Sequence, residues 1–420
     1  MKNIRSVVSV GLVSVSISLG AFTSACWDYR ASGTMGGTGG LTGGTSGTGG
    51  TSGTGGTSGT GGTSGTGTSG TSGTSGTTST GGTGGLSPAP DTLPCDVFES
   101  AGHPCVSAHS TVRVLVSGYS GPLYQVQTSG GMTRDIGSVD GYADVAAHRA
   151  FCTAGCVIPI IYDQAPFGNH LTPAPPGSAK PTPGRPAAAD RHLIKINGRD
   201  AYGILFRPGE GYRANCYMCP YPASGEAGTA VADEPETVYF VSSQHDLING
   251  CCFDYGNAET SANNDGNGTM EAVYLGLGVI WGSGVEGGPW VMADLENGLF
   301  PGWENGQFDN ISTNTPVKYD FVTGLIVGDT QDKNGGRGRF AVYGGDATTG
   351  TLKTMYDGIR PERPGYVPMK KQGSIILAIG GDNSDGDGGR FYEGVMANGA
   401  ASKETVDALQ AAIVAANYGR

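Results

Sequence analysis

Nine short segments rich in β-branched and aromatic residues recur along the sequence: TVRVLVSG (111–118), PLYQVQ (122–127), CVIPIIYD (156–163), ETVYFVSS (236–243), EAVYLGLGVIWG (271–282), PWVMADLE (289–296), YDFVTGLIVG (319–328), GRFAVYGG (338–345) and GSIILAIGG (373–381). Clusters of Gly, Asn, Asp and Pro separate them, the punctuation of strands and turns. Helical signals are few. One covers Gly141–Phe151, and another covers Ser402–Ala416, where Ser402 precedes an apolar run and reads as its cap. Many spaced strands with rare helices predict an all-β chain folded as a β-sandwich, with a few short helices.

The strand pattern does not begin at residue 1. MKNIR is followed by the apolar, serine-diluted run Ser6–Phe22 and then by Thr23-Ser24-Ala25-Cys26. Basic start, apolar middle and small residues at the end predict an export signal over 1–26. The last four residues resemble a lipobox, with Thr23 in place of the usual aliphatic residue, so Cys26 is the expected lipidation site. Acyl chains there would anchor the mature protein to a membrane without spanning it, at a cell surface or outer membrane; simple secretion is the other outcome. Residues 27–87 are almost wholly Gly, Ser and Thr and cannot bury a core. They are expected to form a flexible linker with an r.m.s. span of roughly 40 Å. The globular domain is then expected over 88–420, roughly 330 residues, a large size that one all-β domain can reach. No later apolar stretch is long enough to span a bilayer. A net charge of −12 argues against a nucleic-acid partner.

The chain has nine cysteines. With Cys26 set aside, eight remain in an exported chain, which reads as a disulfide set. Proximity suggests Cys95–Cys105, Cys152–Cys156, Cys216–Cys219 and Cys251–Cys252, although eight cysteines permit about 105 connectivities. A zinc site from Cys216, Cys219, Cys251 and Cys252 is disfavoured, since adjacent cysteines reach one tetrahedral ion poorly.

Two stretches could carry chemistry. In PWVMADLENGLF, alternation would send Val291, Ala293 and Leu295 to the core and put Met292, Asp294 and Glu296 on the opposite face. Carboxylates so close repel and are candidates for acid–base or nucleophilic work, or else an ordinary solvated face. In GSIILAIGGDNSDGDGG, an apolar strand ends in Gly380-Gly381-Asp382, where glycine permits close approach to the backbone, although a turn rich in Asp, Asn and Gly is the commoner reading of such a stretch. Asn383, Asp385, Asp387 and Gly388, like Asn263, Asp265, Asn267 and Gly268, mimic the start of a calcium loop. Position twelve falls on Gly394 and Tyr274 in place of the required Glu, so both read as turns. There is no nucleophile elbow in the globular part, and His103, His109, His148, His170, His192 and His245 form no metalloprotease pattern. They are expected to be structural or surface residues.

PCDVFESAGHPCVSAHSTVR, SGPLYQVQ, IIYDQAPFGNHLT, GCCFDYGNAET, MEAVYLG, GPWVMADLENGLF and GSIILAIGGDNSDGDGGRFYEGVM resemble, in order and spacing, the catalytic domain of glycoside hydrolase family 54, the α-L-arabinofuranosidases. The resemblance runs from about Pro94 to about Tyr418. It implies a concanavalin-like, jelly-roll type of sandwich and a retaining mechanism. Glu296 falls on the nucleophile and Asp382 on the general acid/base, which must begin the cycle protonated. Asp294 falls on a residue that bonds sugar hydroxyls, and Trp281, Asn297 and Gly381 fall on the lining of the sugar pocket. Cys251 and Cys252 fall on a disulfide between neighbours, a flat polarisable face for the arabinofuranose ring. The resemblance implies arabinose-containing polysaccharides or oligosaccharides as partners, a monomer, and no metal or organic cofactor. The segment around Cys216 and Cys219 and the loop 305–332 depart from the family pattern. The arabinose-binding module of fungal members is not expected after Arg420. A non-catalytic sugar-binding surface lipoprotein on the same fold is the alternative, as is an envelope protein valued for its stalk. Neither needs Glu296 and Asp382 together.

Overall fold

The computed structural model describes residues 90–214, 228–329 and 336–420. Cys26, the stretch 27–87 and the pair Cys216–Cys219 lie outside them. Strands dominate. One sheet has six, ordered Cys105–Ser110, Glu393–Asn398, Glu236–Ser242, Val322–Asp329, Arg339–Asp346 and Lys353–Gly358. A second has seven, ordered Leu299–Phe300, Trp290–Asp294, Glu271–Gly276, Asp254–Ala258, Ser374–Leu377, Tyr212–Arg213 and Thr172–Pro173. All ladders in both are antiparallel.

Side-chain alternation assembles the sandwich. Val238, Phe240, Ile326 and Val342 from the first sheet join Tyr255, Val273, Leu275, Val291 and Ala293 from the second in one core. The intervening Tyr239, Val241, Leu325, Val327, Ala341 and Tyr343 point the other way, into a second core. Helices Pro94–Ser100 and Lys403–Val414 supply Val97, Phe98, Val406, Leu409 and Ile413 to it. The six-stranded sheet is thus buried on both faces, which explains its unbroken apolar runs.

Ser402 caps the last helix through Thr405 N–H at 3.3 Å. The expected helix over 141–151 is shorter: Tyr142–Ala143 pairs as a strand, and the helix is Val145–Phe151, capped by Asp144. Two further expectations fail. TVRVLVSG forms no strand. Val112, Val114 and Leu115 are buried, but their backbones bond to Ala143 N–H, the Gly141 carbonyl and the Gln164 side chain. EAVYLGLGVIWG stops pairing at Gly276, and Val279 and Ile280 are exposed beyond it.

Cys95–Cys105 ties the first helix to the first strand, and Cys152–Cys156 joins the second helix to the strand that follows. Cys251 pairs with Cys252. Among the described residues, no helix is long and apolar enough to cross a membrane.

Candidate active site

The outer face of the seven-stranded sheet carries the acids. Val291, Ala293 and Leu295 enter the core as alternation predicts, leaving Met292 and Asp294 on the other side. The strand ends at Asp294. Glu296 and Asn297 then adopt φ of 62° and 60°, a left-handed conformation that side chains disfavour and that clusters at functional sites. Several bonds hold this turn. The Tyr366 hydroxyl donates to the Glu296 carbonyl at 2.6 Å, and Trp281 Nε1–H to the Asn297 carbonyl at 2.7 Å. Glu296 N–H donates to Asp294 Oδ1 at 3.1 Å. Trp281 packs so closely on Gly298 that a Cβ there would enter the indole.

The second wall follows strand Ser374–Leu377. Gly380 N–H donates to the Ser384 carbonyl at 2.9 Å, and Ser384 N–H to Asp382 Oδ1 at 2.9 Å, turning the half-buried Asp382 inward. The third wall is the disulfide. Cys252 Sγ lies 3.3 Å from Asp294 Oδ2, and Cys251 Sγ lies 3.5 Å from Ser384 Oγ.

Cys251, Cys252, Asp294, Glu296, Asn297, Gly381 and Asp382 therefore line a single cleft of about 370 Å³, counting its open mouth. Trp281 lines an adjoining groove with Asn267, Ile280, Arg363 and Tyr366. The Arg363 guanidinium sits 4.5 Å from the indole centroid. The donor atoms of Cys251, Cys252 and Asp294 lie within 4.8 Å of one another, yet disulfide sulfurs carry no thiolate to bind an ion. The two stretches that mimic calcium loops are irregular segments between strands, with a turn only at Asn267–Gly268. Asp385 pairs with Lys180, and Asp265 accepts from Ser261 at 2.7 Å.

Sequence reasoning missed the layer behind these residues. Asp254 and Glu259 are fully buried on and just after the strand beneath the cleft. Burial, and then the charge of Asp294, holds the Asp254 carboxyl well above its ordinary range. Asp294 is itself pushed up to about 7 by burial and by Glu259 and Asp382. Glu296 is raised by burial first, then by the charges of Glu259, Asp294 and Asp382. So many carboxyls cannot all ionise together, and some retain protons. Arg213, fully buried, answers them from below. Its guanidinium donates to the carbonyls of Glu259 and Gly381 and to Asn383 Oδ1. The sequence signal for Glu259 was slight: one acid just beyond the strand that follows the cysteine pair.

A cleft with two separately mounted carboxyls, a third beside them and a sulfur wall suits acid–base chemistry on a small polar ring. Known proteins agree. Residues 94–419 match the family described as "Alpha-L-arabinofuranosidase B, catalytic". A probable α-L-arabinofuranosidase B of Aspergillus clavatus is 48% identical over 333 residues, covering 77% of this chain and 62% of the relative. An α-L-arabinofuranosidase of Hypocrea jecorina is 47% identical over 332 residues, 77% of this chain and 63% of that one. The chain thus spans less than two thirds of these relatives' length. A crystal structure of an arabinofuranosidase complexed with arabinofuranosyl-α-1,2-xylobiose superposes with a TM-score of 0.71 at 43% identity, covering 78% of this chain and 66% of that one. With the family match spanning most of the chain, this protein belongs to the α-L-arabinofuranosidase B catalytic family.

Proposed function

We propose that the protein is a retaining, exo-acting α-L-arabinofuranosidase, releasing terminal arabinofuranosyl groups from side chains of hemicellulose or pectin. The observation that carries this reading is the convergence of Glu296 and Asp382 on one cleft walled by Cys251–Cys252. A similar protein bound to an arabinofuranosyl xylobiose favours arabinoxylan among the possible polymers. In the first step a Glu296 oxygen attacks the anomeric carbon. The bond to the leaving oxygen breaks as that oxygen takes the proton of Asp382. In the second step Asp382 takes a proton from water, whose oxygen attacks the same carbon and expels Glu296. Asp294 holds sugar hydroxyls and, through the Glu296 N–H, the turn that carries the nucleophile. The disulfide supplies the ring's apolar face. The basic, apolar and small-residue pattern of 1–26 supports export, with Cys26 as the anchor and 27–87 as the tether.

The test is hydrolysis of 4-nitrophenyl α-L-arabinofuranoside. Wild type should release nitrophenol, and Glu296→Gln should lose more than about 10³-fold in kcat/KM. Asp382→Asn should stall after arabinosylation, because this leaving group departs without an acid while the second step needs a base. Azide should restore turnover as the arabinosyl azide. A folded wild type that releases nothing would sink the proposal.

A further inference from the structure

Glu259 has no place in the mechanism above, yet it is built into the site. Its side chain is fully buried. The Thr269 hydroxyl lies 2.5 Å from Oε1 and 2.6 Å from the Gly266 carbonyl, its other acceptor. Oε2 is buried with no hydrogen-bond partner among the described residues. A Cβ on Gly381 would overlap this oxygen and lie 2.8 Å from Oε2 of Glu296, so both oxygens crowd one point at the cleft floor. Two ionised carboxylates in that position repel. A single proton shared between them would turn that repulsion into a hydrogen bond.

The proton has few other places to go. Facing the pair are Asp294 from strand Trp290–Asp294, Asp382 after strand Ser374–Leu377, Arg213 from Tyr212–Arg213, and Thr269 before Glu271–Gly276. Arg213 provides a positive charge, but its guanidinium faces the backbone carbonyls of Glu259 and Gly381 and the Asn383 and Ser374 side chains. Among the described residues Arg213 is the cation set against these acids, and a neutral partner would let Glu296 remain an anion.

We propose that Glu259 is a positioning residue for the attacking carboxylate: it stays protonated in the reactive enzyme and donates from Oε2 to Oε2 of Glu296, leaving the other oxygen of Glu296 aimed at the anomeric carbon. This rests on Glu296 as the nucleophile. A hydrogen bond to the charged form also favours that form, so Glu259 keeps Glu296 ionised at working pH. No proton leaves Glu259 during turnover.

The experiment compares Glu259→Gln, Glu259→Ala and Glu296→Gln in the full chain. Each is assayed with 4-nitrophenyl α-L-arabinofuranoside as kcat/KM against pH, with melting temperature as the folding control. An amide donates as the neutral acid does. Glu259→Gln should therefore keep kcat within about tenfold, while Glu259→Ala loses about 10²-fold or more. The acid limb, which reports protonation of Glu296, should stay in place for Gln and move to higher pH for Ala. An acid limb that moves down by a unit or more in Glu259→Gln would mean that a negative charge had been removed, and would overturn the proposal. So would equal losses in folded Gln and Ala variants. Should Ala fail to fold, the limb in Gln still decides. An active Glu296→Gln would instead overturn the nucleophile assignment itself.

Discussion

Gly381 is glycine because its Cβ position is occupied by the carboxylate of Glu259. Neither acid can step aside. Glu259 is buried and held by Thr269, and Glu296 sits on a turn pinned by Tyr366. Gly381→Ala should therefore displace the reacting groups and leave the sheet intact. We expect a loss of about 10²-fold in kcat with destabilisation of only about 1–3 kcal/mol, read by assay and urea unfolding on one preparation. Activity near wild type would mean that the floor of the cleft yields more readily than its packing implies. At this scale the sequence was partly legible. A Gly-Gly-Asp at a strand mouth permitted close approach to the backbone but read equally as an ordinary turn, and Asp294 and Glu296 stood out as neighbouring acids. Glu259 and Asp254 did not, because an acid within or just after a strand looks the same whether it faces solvent or another buried carboxyl.

Among the elements, legibility followed local signals. The helix Lys403–Val414 could be read because Ser402 caps it and Val406, Leu409 and Ile413 recur on one face. Pro94–Ser100 could not. It is only seven residues long, begins after Leu93 without a Ser or Thr cap, and closes its first turn with Asp96 accepting from Leu93 N–H at 2.9 Å. TVRVLVSG misled in the opposite sense: burial between loops selects the same apolar residues as a half-buried strand does. Both helices roof the six-stranded sheet, and stability should depend on that roof. Ser402→Ala should cost about 1 kcal/mol. Leu409→Ala, which removes a fully buried side chain, should cost about 2–5 kcal/mol. Urea midpoints at unchanged m-value check both. A Leu409 variant as stable as wild type would show that the helix merely rests on the sheet.

For the whole molecule, buried titratable groups set a pH dependence that the net charge alone does not convey. The strand pattern was enough for the sandwich, and the family motifs for the cleft. Where the protons sit depends on burial, which sequence does not display. Asp163, Glu236, Asp294 and Asp387 are each pushed up to about 7, chiefly by burial. Asp254 and Glu259 are raised as well. In the unfolded chain such carboxyls titrate near 4. Between about 4 and 7 the folded chain therefore binds more protons than the unfolded one, and these groups make stability fall as pH rises. Four histidines act against them. Burial lowers His109 to about 3 and His148 and His192 to about 4, and lowers His170 too. The unfolded chain protonates its histidines below about 6.5, so they make stability rise with pH in the window from about 4 to 6.5. The carboxyls are more numerous, and above about 6.5 they act alone. A net charge of −12 adds self-repulsion in the same direction. The ligand-free protein should accordingly melt at a higher temperature at pH 5 than at pH 8, with the steepest decline beginning where the histidines cease to compensate, near pH 6.5. Calorimetry across that range measures it. A melting temperature that climbs from pH 5 to pH 8 would mean that the acids under the cleft are ionised in the folded state, and that their charge is balanced by more than Arg213.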